Sequence, residues 1–217
     1  MTRAVRRILF AALPVLFLYA IFVSHVQSAP VQAAVRPIIV CFGDSLTAGL
    51  GTGPGESYPD YLQQDLDQRG YHYRVLNDGV SGNTTKDGVS RLDSVIALKP
   101  AVAVVEFGGN DGLRGLQNPQ TEANLDRIVF AFQQAGAKVV LAGITLPPDY
   151  GQDYIRSFNA IYTRIAAKRH VSLLPFLLKD VYGVPGSIQA DQTHATAQGN
   201  QQVARNLLPL LVPLLHK

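Results

Sequence analysis

The sequence is poor in cysteine and in charge. Its single cysteine, Cys41, excludes an internal disulfide, and five scattered histidines leave no cluster with the ligand spacing of a zinc site. Charged residues make up 16% of the chain against 47% hydrophobic residues, a balance typical of packed globular proteins and not of disordered or coiled-coil chains. The 217 residues have room for one domain whose core needs no disulfide or metal.

Three common motifs are also missing. The glycine-rich segment Gly49–Gly55 fits neither G-x-G-x-x-G nor G-x-x-x-x-G-K-[ST], so a nucleotide-binding protein is a weak interpretation. We interpret this segment as a mobile loop beside a site. The α/β-hydrolase motif G-x-S-x-G is absent as well, because Thr47 stands where that motif has its second glycine.

The N-terminus carries a basic start and an apolar run. Arg3, Arg6 and Arg7 precede 16 uncharged residues, Ile8–Val23, and small residues follow. This order is typical of a secretory signal peptide, which we predict to span residues 1–33. An uncleaved signal anchor is the alternative, although the run is shorter than the roughly 20 residues that cross a bilayer.

The leader determines the net charge of the mature chain. Val31 and Ala33 suit the small-residue positions before a cleavage site, so the mature chain would begin at Ala34. Without the three leader arginines, the 19 basic residues fall to 16 and equal the 16 acidic ones. Because phosphate binding needs clustered positive charge, we expect no nucleic-acid partner. We expect an exported, periplasmic or secreted protein with no stable membrane insertion after cleavage; the oligomeric state is open.

Alternating strand and helix patterns fill the rest of the chain. Five short runs rich in Val, Ile and Leu lack polar alternation, as strands buried on both faces of a parallel sheet do. They are Pro37–Phe42, Tyr73–Asn77, Ala101–Phe107, Lys138–Ile144 and Val171–Leu174. Apolar residues at helical spacing predict five intervening or following helices, the third stopped by Gly136 and the last starting near Thr196. With right-handed crossovers, residues 34–217 should form a single three-layer α/β/α sandwich with a five-stranded parallel sheet.

Polar, glycine-rich segments follow the first three predicted strands. They are Gly43–Leu46, Asn77–Gly82 and Gly108–Asp111. Ligands of such folds bind at the carboxyl ends of the strands, so three converging loops indicate a site there.

Ser45 is the candidate nucleophile. It follows a buried strand at the entrance of a helix, where amides at the helix start could stabilise developing negative charge. The alternative is that Ser45 only caps that helix.

A serine nucleophile needs a base, and His194 is the candidate. It has a carboxylate, Asp191, three residues upstream, which could bind one ring nitrogen and leave the other to accept the serine proton. The alternative is a surface Asp–His pair. His72 and His170 sit just before strands and suit surface roles.

Three donors are available for the oxyanion that attack on a carbonyl would create: the amides of Ser45 and Gly79 and the side chain of Asn110. Glu106 is a competing carboxylate, but it lies inside the third strand, so we expect it to have a structural or supporting role.

These blocks resemble the SGNH hydrolases, also called GDSL esterases, in order and spacing. The resemblance runs from about Ile38 to the C-terminal helix. Within that family, Asn110–Gly115 and Leu146–Gly151 look like the bacterial multifunctional acyl-CoA thioesterase, lysophospholipase and arylesterase group. Gln192 and Ala195 depart from the family pattern, which often has Gly and Pro there; if position 192 needs positive φ, Gln192 would strain the turn and could misplace Asp191.

The resemblance implies a flavodoxin-like strand order 2-1-3-4-5 and no metal or organic cofactor. It also implies Ser45 as nucleophile, His194 as base and Asp191 as its partner, with Gly79 and Asn110 completing the oxyanion hole. Leu146 and Pro147 would help to bind an acyl chain.

The function that follows is a serine esterase acting on small-molecule acyl esters and thioesters through an acyl-enzyme intermediate. The alternatives are a carbohydrate O-acetyl esterase and a non-catalytic ligand-binding module.

Overall fold

A computed structural model describes residues 36–217, in which five parallel strands form one sheet of order β2-β1-β3-β4-β5. The strands are β1 (Ile38–Gly43), β2 (Arg74–Gly79), β3 (Val102–Glu106), β4 (Lys138–Ala142) and β5 (Ser172–Leu174). The predicted strand order and parallel α/β architecture are confirmed. The predicted leader, residues 1–33, and its cleavage site before Ala34 lie outside the described residues.

Helices surround the sheet. Within the described residues they are α1 (Ser45–Ala48), α2 (Tyr58–Gln68), α3 (Thr85–Ile96), α4 (Gly109–Leu113), α5 (Asn118–Gln134), α6 (Gln152–Arg169) and α7 (Ala197–Leu211), with 3₁₀ turns at Pro148–Tyr150 and Val212–Leu214. The five predicted helices correspond to α2, α3, α5, α6 and α7. A helix entrance at Ser45 was predicted and α1 begins there, but the short helix α4 was not predicted, because five residues are too few to show a helical period.

The strand runs are buried less uniformly than predicted. Strands β1, β3 and β4 are almost wholly buried, whereas β2 and β5 are largely half-buried. Both of these strands lie at the edges of the sheet, where each has one neighbouring strand instead of two. Apolar composition indicates a strand, but the position of that strand in the sheet decides how much of it solvent reaches.

Capping explains where the helices start. Thr84 accepts a hydrogen bond from the N–H of Asp87, whose carboxylate accepts one from the N–H of Thr84, so α3 begins with a capping box. Thr196 caps α7 through the N–H of Gly199, which confirms the predicted start of the last helix.

In residues 36–217, no helix combines the length and apolar character that crossing a membrane requires.

The register of the central strands sets the position of the loops. In β1, Gly43 pairs with Gly79 at the end of β2 and with Glu106 at the end of β3. The three strands therefore end level, and the segments that follow them emerge at one edge of the sheet.

Candidate active site

Ser45 is the first residue of α1 and is separated from the end of β1 by one residue, Asp44. The residue that caps α1 is Asp44, whose side chain accepts a hydrogen bond from the N–H of Leu46 at 3.0 Å. The interpretation of Ser45 as only a helix cap is therefore wrong. Its hydroxyl is instead 2.8 Å from Nε2 of His194, and Ser45 is half-buried.

Asp191 binds the other ring nitrogen of His194. Its Oδ2 is 2.6 Å from His194 Nδ1, and its Oδ1 accepts hydrogen bonds from the N–H groups of Thr193 and His194, both at 3.0 Å. Partial burial acts to raise the pKa of the Asp191 carboxyl, but these hydrogen bonds outweigh it and lower that pKa to about 2. Asp191 is therefore ionised at neutral pH and can stabilise a protonated His194.

The turn that carries this pair contains both departures from the family pattern. Gln192 has a φ of +60°, so the position does require left-handed backbone. Asp191 nevertheless contacts His194, and the expected misplacement is absent. Ala195 forms an antiparallel bridge with Ile188 through bonds made by neighbouring residues, Gln189 N–H to His194 O and Thr196 N–H to Ser187 O. Since these bonds do not use the N–H of Ala195, either alanine or proline suits the position.

Asn110 lies in α4, and its side chain contacts the residue before Ser45. Its Nδ2 donates to Asp44 Oδ2 at 3.1 Å and to the carbonyl oxygen of Asn83 at 3.0 Å. Burial raises the pKa of the Asp44 carboxyl to about 6, against the lowering effect of its hydrogen bonds with Leu46 and Asn110. Asp44 therefore connects the start of α1 with the side chain of Asn110, a role that its position directly before Ser45 did not reveal.

Gly79, predicted as an oxyanion donor, is the last residue of β2. Its N–H donates to Asn77 Oδ1 at 3.0 Å, and it packs so closely on α1 that a Cβ would be 2.2 Å from the amide nitrogen of Ala48. The structure thus explains the glycine by close packing, and the N–H of Gly79 already has a partner in Asn77.

Gly82 lies three residues further on, at the end of the same loop, and was not predicted as a donor. It has a φ of +80° in a turn closed by a hydrogen bond from Asn83 N–H to Val80 O, and the carbonyl of Asn83 receives the Asn110 bond. Among the hydrogen bonds of the described residues, none occupies the N–H of Gly82.

A pocket of about 300 Å³ opens beside the Ser45–His194 pair and Asn110. Its apolar wall is formed by Leu46, Leu113, Ile144, Leu146, Pro147, Pro148, Phe176, Leu178 and Tyr182. Leu146 is buried in that wall and Pro147 is exposed at it, so both predicted substrate-binding residues line the pocket. Among residues 36–217, no group of three or more His, Cys, Asp or Glu side chains could hold a metal ion.

Sequence comparison assigns this arrangement to a family. The pattern of the GDSL-like Lipase/Acylhydrolase family matches residues 41–202, which include every side chain of the pocket and of the Ser45–His194–Asp191 contact chain. The chain belongs to that family.

Individual family members resemble the whole fold. Esterase TesA of Pseudomonas aeruginosa is 42% identical over 185 residues, which cover 85% of this chain and 92% of that protein. Thioesterase 1/protease 1/lysophospholipase L1 of Escherichia coli is 34% identical over 186 residues, or 85% of this chain and 88% of that one. A crystal structure of TesA superposes with a TM-score of 0.79 at 41% identity and covers 82% of this chain and 99% of its own.

The left-handed backbone at position 192 leads to a stability prediction. Gln192→Gly should raise the free energy of unfolding by about 1 kcal/mol, because glycine adopts positive φ without the steric cost of a Cβ. Urea denaturation would measure this. Gln192→Ala is the matched control, since it removes the rest of the side chain but keeps the Cβ, and it should give no such gain. Equal stabilities of the two variants would contradict the prediction.

Proposed function

We propose that this protein is a serine esterase that cleaves carboxylic esters and thioesters of acyl chains through an acyl-enzyme intermediate. One observation carries the proposal: Ser45, His194 and Asp191 form a continuous chain of contacts at the mouth of an apolar pocket. The names of the relatives, an esterase and a thioesterase with lysophospholipase activity, support the same reaction class.

The contact chain suits nucleophilic attack. Ser45 Oγ attacks the carbonyl carbon while His194 Nε2 accepts the hydroxyl proton, and the ionised Asp191 stabilises the imidazolium that results. Collapse of the tetrahedral intermediate expels the alcohol or thiol, which takes the proton from His194. A water molecule then attacks the acyl carbon while His194 Nε2 accepts its proton, and collapse releases the acid and returns that proton to Ser45 Oγ. Asp191 also holds the ring in the tautomer that leaves Nε2 free to accept.

Three N–H groups are candidates for binding the oxyanion. The amide of Ser45 and the side chain of Asn110 lie at the opening, and Asn110 would exchange its bond with Asp44 for one with the oxyanion. For the third donor we replace Gly79 with Gly82, because the amide of Gly79 is occupied by Asn77 while Gly82 adjoins the Asn83–Asn110 contact.

The pocket favours an acyl chain as the group that enters it. Its wall consists mainly of apolar side chains, among them Leu146, Phe176 and Tyr182. A volume of about 300 Å³ lies at the small end of pockets that enclose organic ligands, enough for a single chain. Aryl esters, acyl thioesters and lysophospholipids all present such a chain to the same chemistry.

The proposed setting is outside the cytoplasm. The basic and apolar order of residues 1–33 supports export with cleavage before Ala34, into the periplasm or the medium. If the leader stays attached, the enzyme would be membrane-anchored. Mass spectrometry of the protein recovered from culture would separate the two forms.

Labelling by a serine-directed fluorophosphonate tests the nucleophile. The probe should label the wild-type protein, and Ser45→Ala and His194→Ala should abolish both labelling and nearly all esterase turnover, because the reagent needs a serine activated by its base. Ser94→Ala, at an exposed position of α3, is the matched control and should keep both. Unchanged labelling in Ser45→Ala would remove Ser45 from the reaction, and a folded wild-type protein without labelling or activity would favour a binding module.

The oxyanion hole is tested through Asn110. Asn110→Ala should lower kcat on the order of 10²-fold, since it removes one preorganised donor to the oxyanion. Asn206→Ala is the control, because Asn206 donates its side-chain bond to the carbonyl of Lys179, outside the pocket wall. A loss of less than threefold in Asn110→Ala would exclude Asn110 from the oxyanion hole.

Acyl-chain preference distinguishes the two esterase classes. With p-nitrophenyl esters from acetyl to palmitoyl, Ser45-dependent kcat/KM should rise beyond acetyl, because longer chains bury more apolar surface against the pocket wall. Ser45→Ala measured with each ester corrects for background hydrolysis. Activity confined to acetyl would contradict the acyl-chain proposal and favour a carbohydrate O-acetyl esterase.

A further inference from the structure

A buried carboxyl group lies beneath the segment that carries Ser45. Glu106, the last residue of β3, is fully buried, and its Oε2 accepts hydrogen bonds from Thr47 Oγ1 at 2.8 Å and from the N–H of Asp44 at 3.3 Å. Asp44 directly precedes Ser45 and Thr47 is two residues beyond it. A single carboxyl oxygen therefore binds the chain on both sides of Ser45.

The surrounding packing holds this carboxyl in place. The hydroxyl of Thr47 also contacts Tyr58 Oη at 3.0 Å, so the first residue of α2 holds the hydroxyl that binds Glu106. A Cβ on Gly43 would lie 2.6 Å from Glu106 Oε2 and 2.1 Å from Thr47 Oγ1. Only glycine lets the carboxyl and the hydroxyl come so close to the end of β1.

Glu106 does not have the surroundings of an ordinary ionised carboxylate. Its Oε1 is buried with no hydrogen-bond partner among the described residues, and none of the ion pairs between them includes Glu106. Burial, and next the charge of Asp44, hold the pKa of Glu106 well above its usual range. A proton on Glu106 avoids the cost of an unpaired buried charge and leaves Oε2 as an acceptor.

We propose that Glu106 is a positioning residue for acyl transfer, whose carboxyl oxygen orients the Asp44–Thr47 segment so that the hydroxyl and amide of Ser45 face the substrate carbonyl. It does not touch the substrate; it acts through Asp44 and Thr47. The inference rests on the proposed esterase function and extends it to a residue that lies behind the pocket.

The role follows from the sensitivity of the reaction to geometry. The Ser45 hydroxyl must stay within reach of His194 while its amide faces the oxyanion, and both belong to a helix of four residues with little rigidity of its own. A misplacement of about 1 Å can cost 10²-fold in rate. Without Oε2, the Thr47 hydroxyl and the Asp44 amide lose a buried partner, so the segment has reason to shift.

Two substitutions at position 106 separate positioning from a purely structural role. Glu106→Gln keeps a carbonyl acceptor for Thr47 and Asp44 without a charge, so kcat should stay within about threefold of wild type. Glu106→Leu has a similar volume but no acceptor, and it should lower kcat about 10²-fold with KM within about threefold, because the defect lies in the placement of Ser45 and not in the pocket. The rate of fluorophosphonate labelling should fall in parallel with kcat.

Val104→Ala is the control for lost stability. Val104 is buried in the same strand, two residues before Glu106, and lies outside the pocket wall. It should lower Tm while leaving kcat unchanged. If Glu106→Leu does not fold, the test uses Thr47→Val instead. This variant removes one of the two hydrogen bonds to Glu106 Oε2 at nearly constant side-chain shape, and it should reduce kcat about 10-fold with KM preserved.

The outcomes separate this proposal from the proposed function. A folded Glu106→Leu or Thr47→Val variant with wild-type kcat, or a loss in Glu106→Gln as large as that in Glu106→Leu, would overturn the positioning role while Ser45-dependent activity of the wild-type protein stands. If the wild-type protein itself has no Ser45-dependent turnover or labelling, the esterase proposal fails and this one with it.

Discussion

The parallel pairing of β1 with both β2 and β3 is the constraint on which the site depends. Because Gly43 pairs with Gly79 and with Glu106, three strands end at the same level, and the segments carrying Ser45, Asn83 and Asn110 leave the sheet side by side. A shift of one residue in either register would move Glu106 from beneath α1 and separate Asp44 from Asn110. The core strands thus set the geometry of a site to which their own side chains, apart from Glu106, contribute little.

The site is formed by both local and long-range contacts. The Asp191–His194 pair is made within one turn, where a carboxylate binds both the ring and two backbone amides. Its contact with Ser45 joins residues 149 positions apart in the chain. Gln189 supports this contact, since its side-chain amide donates to the carbonyls of both Leu50 and Ala195 and so connects the loop after α1 with the His194 turn.

Three carboxyl groups near Ser45 differ in environment, and each environment suits a different role. Asp191 is exposed and strongly hydrogen-bonded, which keeps it ionised beside His194. Asp44 is buried but accepts two hydrogen bonds, and burial raises its pKa to about 6. Glu106 is fully buried with one oxygen unpartnered, and burial, together with the charge of Asp44, raises its pKa well above its usual range. Desolvation increases from Asp191 to Asp44 to Glu106, whereas the number of hydrogen-bond donors to the carboxylate does not increase.

Patterns within short stretches of sequence determined the five strands, the longer helices and the family blocks around Ser45, Asn110 and His194. Apolar periodicity and turn residues can be recognised from a few neighbouring positions, without knowledge of the tertiary contacts. Tertiary structure alone decided that Gly79 packs against α1, that Asn83 accepts a hydrogen bond from Asn110, and that Glu106 binds Asp44 and Thr47. Each of these depends on contacts between segments far apart in the chain, such as the 59 positions between Thr47 and Glu106. A residue's type and neighbours in sequence show that it can accept a hydrogen bond, but only the packing of the strands determines which donor reaches it.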